Sequence, residues 1–233
     1  MLKAYILAGG LGTRLFPLTL TTPKPLLMLG QKTIIEHILD RLVNANFKEI
    51  TIVALSSVSW MYRAVIGDNY MGAKIRYVED SSPRGTAGQL KHAAAGERDT
   101  FFVFYSDSIV DADFNDAFEK HIKNRALATI FVFEHRDRIS YGQIIVENGE
   151  VRGWKEKPEI SVTAAAGAFI FEPRFLEYIP SGQKYGMNAA INEALRAGER
   201  VLAYSVRSFT DVGDRKKYLQ AVRDELKRTG EIP

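Results

Sequence analysis

The feature that most limits the fold of this 233-residue chain is an alternation of apolar strand runs with helix-period stripes. Ala4-Tyr5-Ile6-Leu7-Ala8 is apolar throughout and is closed by Gly9-Gly10. A strand covered on both faces reads this way. Residues 50–55, 74–80, 100–105 and 128–133 repeat the pattern. Between the strands, Thr33-x-x-Glu36 has the spacing of a capping box. Ile34, Ile38 and Leu42, with Ile35, Leu39 and Val43, give one apolar helix face. Residues 85–95 read as a loop entering a helix, and Phe114, Phe118 and Ile122 recur every four residues. The β-α-β-α order calls for a three-layer, Rossmann-like α/β fold, mainly parallel, with helices on both faces of the sheet.

The second half reads differently. Residues 144–146, the pair Asn148-Gly149 and residues 151–154 have the form strand, tight turn, strand. A further strand is expected over 164–171, helices over 188–197 and 214–227, and a strand over 201–206. The simplest arrangement is an antiparallel extension beside the parallel sheet. No repeat, low-complexity tract or linker marks a boundary, so 1–233 reads as one domain.

Composition excludes several functions. The chain has no cysteine, which removes disulfide scaffolds, thiolate catalysis and Cys-ligated zinc. A formal charge of +3 is too weak for a nucleic-acid surface, while a pI near 9.0 suits small polyanions. No run reaches the roughly 18 apolar residues of a membrane span. Met1 to Gly10 has no signal-peptide form, so a soluble, cytoplasmic protein without membrane partners is expected. The histidines His37, His92, His121 and His135 show no metal-ligand spacing.

The strongest chemical signal is Gly9-Gly10-Leu11-Gly12-Thr13-Arg14-Leu15-Phe16-Pro17-Leu18-Thr19, followed by Pro23-Lys24-Pro25. It stands at the carboxyl end of the first strand, where open α/β sheets bind ligands. Glycines let backbone N–H groups approach phosphate oxygens, Arg14 can fork onto phosphate, and Lys24 offers a mobile point charge. A P-loop needs Gly-Lys-Ser/Thr, which is absent, and a dinucleotide fingerprint needs a helix directly after the glycines. Here the first helix pattern begins about twenty residues later.

This segment resembles the signature of the sugar-1-phosphate nucleotidyltransferases, the nucleoside-diphosphate-sugar pyrophosphorylases. The resemblance runs from Ala4 to about Ala221. It implies that Leu7, Ala8, Gly9, Gly10, Gly12 and Thr13 surround a nucleoside triphosphate, with Arg14 and Lys24 catalytic at the phosphates. Pro83-Arg84-Gly85-Thr86-Ala87-Gly88 resembles the family's base loop, which makes Gly85, Thr86 and Gly88 nucleotide contacts. Asp107 and Asp211 match the family's magnesium-binding aspartates, so the implied cofactor is Mg²⁺. Read alone, either aspartate could equally be a cap or turn residue. Gly142, Glu156, Lys157 and Gly167 match sugar-phosphate contacts, although Lys157 could also be a solvated hairpin charge. The family's Asn before the sugar-side glycine is absent, since the run here is Ala164-Ala165-Ala166-Gly167. The implied division is a nucleotide half over about 1–125 and a sugar-phosphate half over about 126–233. No C-terminal β-helix is expected.

The implied reaction is attack of a sugar 1-phosphate on the α-phosphorus of a nucleoside triphosphate, with pyrophosphate leaving. The base rests on Asp80, five residues before Gly85, where uridylyl and thymidylyl relatives usually carry Gln. A carboxylate only accepts, and guanine offers it two adjacent donors, which favours GTP. Asp80 pointing to solvent is the competing reading. A core-only chain with an acidic base reader resembles the heptose- and mannose-1-phosphate guanylyltransferases. Thymidylyl or uridylyl transfer to glucose 1-phosphate is the alternative chemistry, and a non-catalytic nucleotide-sugar-binding regulatory subunit is the alternative class. The sugar stays open, and so does the oligomeric state, a homo-oligomer included.

Overall fold

The computed structural model describes residues 2–232. Among them the chain opens with β1 (Lys3–Leu7), and 3-10 turns at Thr13–Leu15 and Lys24–Leu26 punctuate the loop that follows. A small ladder of β2 (Met28–Leu29) and β3 (Lys32–Thr33) leads into α1 (Ile34–Asn44). The expected capping box is formed: Thr33 N donates to Glu36 Oε2 at 2.8 Å, and Glu36 N donates to Thr33 Oγ1 at 3.4 Å. Next come β4 (Glu49–Leu55), α2 (Ser59–Ile66), β5 (Asn69–Tyr70), β6 (Ala73–Asp80), α3 (Gly85–Ala93) and β7 (Phe101–Tyr105). They are followed by β8 (Ser108–Asp111), α4 (Phe114–Lys123), β9 (Ala128–Arg138), β10 (Gln143–Glu147), β11 (Glu150–Lys155) and β12 (Glu159–Phe171). The last elements are α5 (Met187–Arg196), β13 (Val201–Ser205), β14 (Ser208–Asp211) and α6 (Arg215–Arg228).

Eight of these strands form one sheet in the order β13-β9-β12-β7-β1-β4-β6-β5. β7, β1, β4 and β6 pair in parallel, as do β13 and β9. The antiparallel members are the short edge strand β5, beside β6, and β12, which is seated between β7 and β9, so the second half continues the same sheet. Strand faces alternate as the pleat requires. Ala4 and Ile6 of β1, with Ala8 just beyond it, face a core shared with α1, α2, α4 and α6, whereas Tyr5 and Leu7 face one shared with α3 and α5. The three-layer, mainly parallel α/β expectation is therefore met.

Three differences from the sequence reading bear on the architecture. α2 falls where no helix was read: it is one short helix whose buried face carries Ser59 and Tyr62, so the apolar stripe is thin. β9 and β12 run on past the expected ends, to Arg138 and back to Glu159. Their outer halves are polar and solvent-facing, joined by cross-strand contacts such as Ser161 Oγ donating to Glu134 Oε1 at 2.6 Å. No burial pattern records such strands. The third is α3, which begins at Gly85 itself, without an intervening loop.

Candidate active site

The chain leaves β1, builds outward through β4 and β6, and returns to the other side of β1 as β7. The order therefore reverses between β1 and β7, and the crevice beyond their carboxyl ends is the natural ligand position in such a sheet. Leu7 pairs with Tyr105 at the end of that register. The glycine loop after β1 and Asp107 after β7 are thereby set side by side. Lys24 Nζ reaches Asp107 Oδ2 at 2.5 Å, and Arg14 stands 4.0 Å from the same oxygen.

Asp211 arrives from far along the chain by a separate device. β14 pairs antiparallel with β8, Asp211 lies opposite Ser108, and Val212 N donates to Asp107 O at 3.0 Å. Gly213 completes the turn, its N–H donating to Asp211 Oδ1 at 2.7 Å. A Cβ built on Gly213 would lie 2.8 Å from Asp211 Oδ1, 3.6 Å from Asp107 Oδ2 and 3.5 Å from an Arg14 nitrogen. Both carboxylates thus face one small space that a side chain would fill. Lys217 Nζ holds the other Asp211 oxygen at 2.5 Å. Among the described residues no group of three or more His, Asp or Glu side chains gathers. Two carboxylates beside an anion pocket are the protein ligands Mg²⁺ commonly takes when phosphates supply the rest, so the donor set fits that ion.

Two cavities flank these carboxylates. The first, about 440 Å³, is lined by Leu7, Ala8, Gly9, Gly10, Gly12, Thr13, Arg14, Lys24, Gly85, Thr86, Gln89 and Asp107. Nearly all of the residues assigned to the nucleotide from the sequence are in it. Two are not, and both are corrections. Gly88 turns its open side to the 183–185 segment: a Cβ there would sit 3.2 Å from Gln183 O, and its N–H donates to Tyr185 O at 3.2 Å. Asp80 faces neither a base nor solvent. It is wholly buried, and its Oδ1 accepts from Arg84 Nε at 2.7 Å. Arg84, at the turn into α3, takes that one oxygen, and among the described residues Oδ2 is buried without a hydrogen-bond partner.

The second cavity, about 490 Å³, lies on the other side of the carboxylates and shares Arg14, Tyr105 and Asp107 with the first. Gly167 and Asp211 line it, together with Asn188, Ile191 and Asn192 of α5 and with Phe209. Gly167 has φ +75°, and a Cβ would meet Ser108 Oγ at 2.7 Å, so only glycine fits. Gly142, Glu156 and Lys157, expected at the sugar phosphate, line neither cavity. They stand on the exposed β10–β11 hairpin and its flanks, where Glu156 Oε2 accepts from Trp154 Nε1 at 3.1 Å.

Several cavity residues carried no signal in the sequence reading. Tyr105 is one; burial raises its phenol to about 12, with Asp107 adding to the shift, so it stays a donor. Its place directly before Ser106-Asp107 could have pointed to it. Gln89 and Lys217 stand one helical step from motif residues and could be found only once the helix start was known.

The comparisons with known proteins bear on the family and the fold. The family model described as "Nucleotidyl transferase" matches residues 3–228. A UTP–glucose-1-phosphate uridylyltransferase of Synechocystis is 31% identical over 97% of this chain. A mannose-1-phosphate guanylyltransferase catalytic subunit beta of Dictyostelium discoideum is 32% identical over 95% of it. The chain spans 64% of the length of each. Among solved structures, HddC from Yersinia pseudotuberculosis superposes with a TM-score of 0.74 at 22% identity, covering 96% of this chain and 99% of that one. At that identity the likeness concerns the fold.

Proposed function

The chain belongs to the nucleotidyl transferase family, and from that premise we propose that it transfers a nucleotidyl group from a nucleoside triphosphate to a sugar 1-phosphate, releasing pyrophosphate. The observation that carries the proposal is the convergence of the glycine loop, Arg14 and Lys24 with two carboxylates between two cavities. Two anionic substrates need two compartments and a shared cationic boundary, which is the arrangement here. The triphosphate lies along the glycine loop, and the sugar phosphate enters from the Gly167 side. An oxygen of the sugar phosphate attacks the α-phosphorus, the new O–P bond forms, and the bond to the bridging oxygen of pyrophosphate breaks. Arg14 and Lys24 neutralise the phosphate charge and hold the reactants in line. Asp107 and Asp211 would hold Mg²⁺, which when bound supplies charge neutralisation and Lewis-acid activation at the phosphates.

The nucleotide is a separate matter. The guanylyl expectation stood on Asp80, whose carboxylate is engaged by Arg84. The guanylyl and uridylyl readings now rest alike on relatives near 30% identity. A grid of GTP, UTP, dTTP, CTP and ATP against hexose and heptose 1-phosphates, scored by pyrophosphate release, tests the proposal and assigns both substrates. Release in at least one pairing, dependent on both partners and on magnesium, is the expected outcome. A non-catalytic subunit would bind a nucleotide sugar and release nothing.

A further inference from the structure

The glycine-loop cavity has two chemically different ends. Arg14, Lys24 and Asp107 make one end charged, and that end takes the phosphates under the reading above. The other end is formed by Leu7, Ala8, Gly9, Pro83 and Gly85 with Gln89 among them, and Lys184 reaches the lining from the 183–185 segment seated on Gly85. Gln89 is 5% exposed. Its polar neighbours on the same helix turn are already engaged: Thr86 Oγ1 accepts from Met187 N at 2.9 Å, and Arg84 is held by Asp80. No hydrogen bond holds the Gln89 side-chain amide among the described residues, and the amide opens on the cavity that Gln89 lines. It lies flat on the glycine loop, so close that a Cβ at Gly9 would stand 2.2 Å from Gln89 Nε2. A side chain at position 9 would turn the Gln89 amide aside.

We propose that the Gln89 carboxamide reads the hydrogen-bonding edge of the nucleobase and sets which nucleoside triphosphate this chain accepts. The role expected of Asp80 passes to a side chain one α3 turn into the helix, on its cavity face. An amide offers one acceptor and a pair of donor hydrogens, so it can match an edge that presents a donor beside an acceptor. A buried amide also rejects an edge that leaves it unpaired, because the unpaired group stays desolvated. The inference rests on the nucleotidyl-transfer reading of the same cavity.

The test is calorimetric binding of GTP, UTP and inorganic tripolyphosphate, in magnesium-containing buffer, to the wild type, Gln89→Leu and Gln89→Glu. Gln89→Leu is expected to weaken the preferred nucleotide roughly tenfold, as losing one or two buried hydrogen bonds does. Tripolyphosphate, which has no base, should bind it as it binds the wild type. Gln89→Glu should raise the GTP-to-UTP affinity ratio whichever nucleotide the wild type prefers. A carboxylate pairs the two guanine donors and is repelled by the carbonyls flanking the uracil N–H. The Michaelis constant for the sugar phosphate should not move in either variant. If Gln89→Leu fails to fold, the ratio in Gln89→Glu decides alone. An unchanged GTP-to-UTP ratio, or equal losses for nucleotide and tripolyphosphate, overturns the assignment while leaving nucleotidyl transfer standing. A wild type that binds tripolyphosphate but no nucleotide overturns both.

Discussion

At the scale of single residues, the site is a matter of which charges meet. Asp107 touches Lys24 and approaches Arg14, and Asp211 touches Lys217. Replacing either carboxylate by its amide removes a negative charge that would hold Mg²⁺ at the phosphates. Asp107→Asn and Asp211→Asn should each lower turnover by roughly a hundredfold or more, with little change in the unfolding midpoint. Near-normal turnover in magnesium would remove that residue from the reacting centre. Asp80 belongs to the opposite class. Its buried carboxylate anchors Arg84, so Asp80→Asn should cost about 1–3 kcal/mol in a urea titration and leave the GTP-to-UTP preference where it was. A changed preference with unchanged stability would return Asp80 to the base. The glycine loop, Arg14 and Lys24 could be picked out by motif spacing, and both aspartates only through the family resemblance; the structure brings them together. The direction of Asp80 was not legible, because it depends on an ion pair with Arg84 that exists only once α3 starts at Gly85.

At the scale of elements, α3 shows how backbone decides what a loop can bind. It has no side-chain cap. Ala87 and Gly88 N–H donate instead to Tyr185 O, at 3.1 and 3.2 Å. Gly85 enters the helix with φ +72°, and a Cβ would lie 2.5 Å from that same carbonyl. Gly85→Ala should therefore destabilise the fold by at least about 1–2 kcal/mol from the left-handed backbone alone, read as a lowered unfolding midpoint. An unaltered midpoint would mean that the 183–185 segment is not seated on the helix. A second element-level device joins α4 to β9 and β12. His121 is buried, its Nδ1 2.8 Å from Thr129 Oγ1 and its Nε2 3.2 Å from Glu172 Oε1, an oxygen that also accepts from Thr100. Desolvation lowers its pKa from 6.5, against the pull of Glu172. The unfolded chain takes up this proton first as pH falls. The stability that the neutral ring contributes is thus full above its unfolded pKa and is lost as pH falls toward the lower folded value. Unfolding midpoints should drop between about pH 7.5 and about pH 5.5 in the wild type, and drop less in His121→Gln. Equal drops would assign the pH dependence to other groups. His121 could be read from the sequence only as a non-metal histidine, because its partners come from two distant strands.

At the scale of the whole molecule, the parallel sheet was legible because its strands are buried on both faces and its helices carry apolar stripes. The outer halves of β9 and β12 and the β10–β11 hairpin were not, since both of their faces meet solvent and leave no burial pattern. Glu156 and Lys157, which the motif resemblance grouped with the sugar phosphate, stand at the exposed end of that hairpin. Among the described residues no helix is long and apolar enough to cross a membrane. What unifies the molecule is the reversal of strand order between β1 and β7, which sets two cavities on either side of Asp107 and Asp211. That layout calls for displacement at the α-phosphorus, and a label tests it directly. With the triphosphate carrying phosphorus label at the α position, the label should appear in a sugar nucleotide, and with γ label it should appear in pyrophosphate. Release of γ label as orthophosphate, or its transfer to the sugar phosphate, would contradict the account.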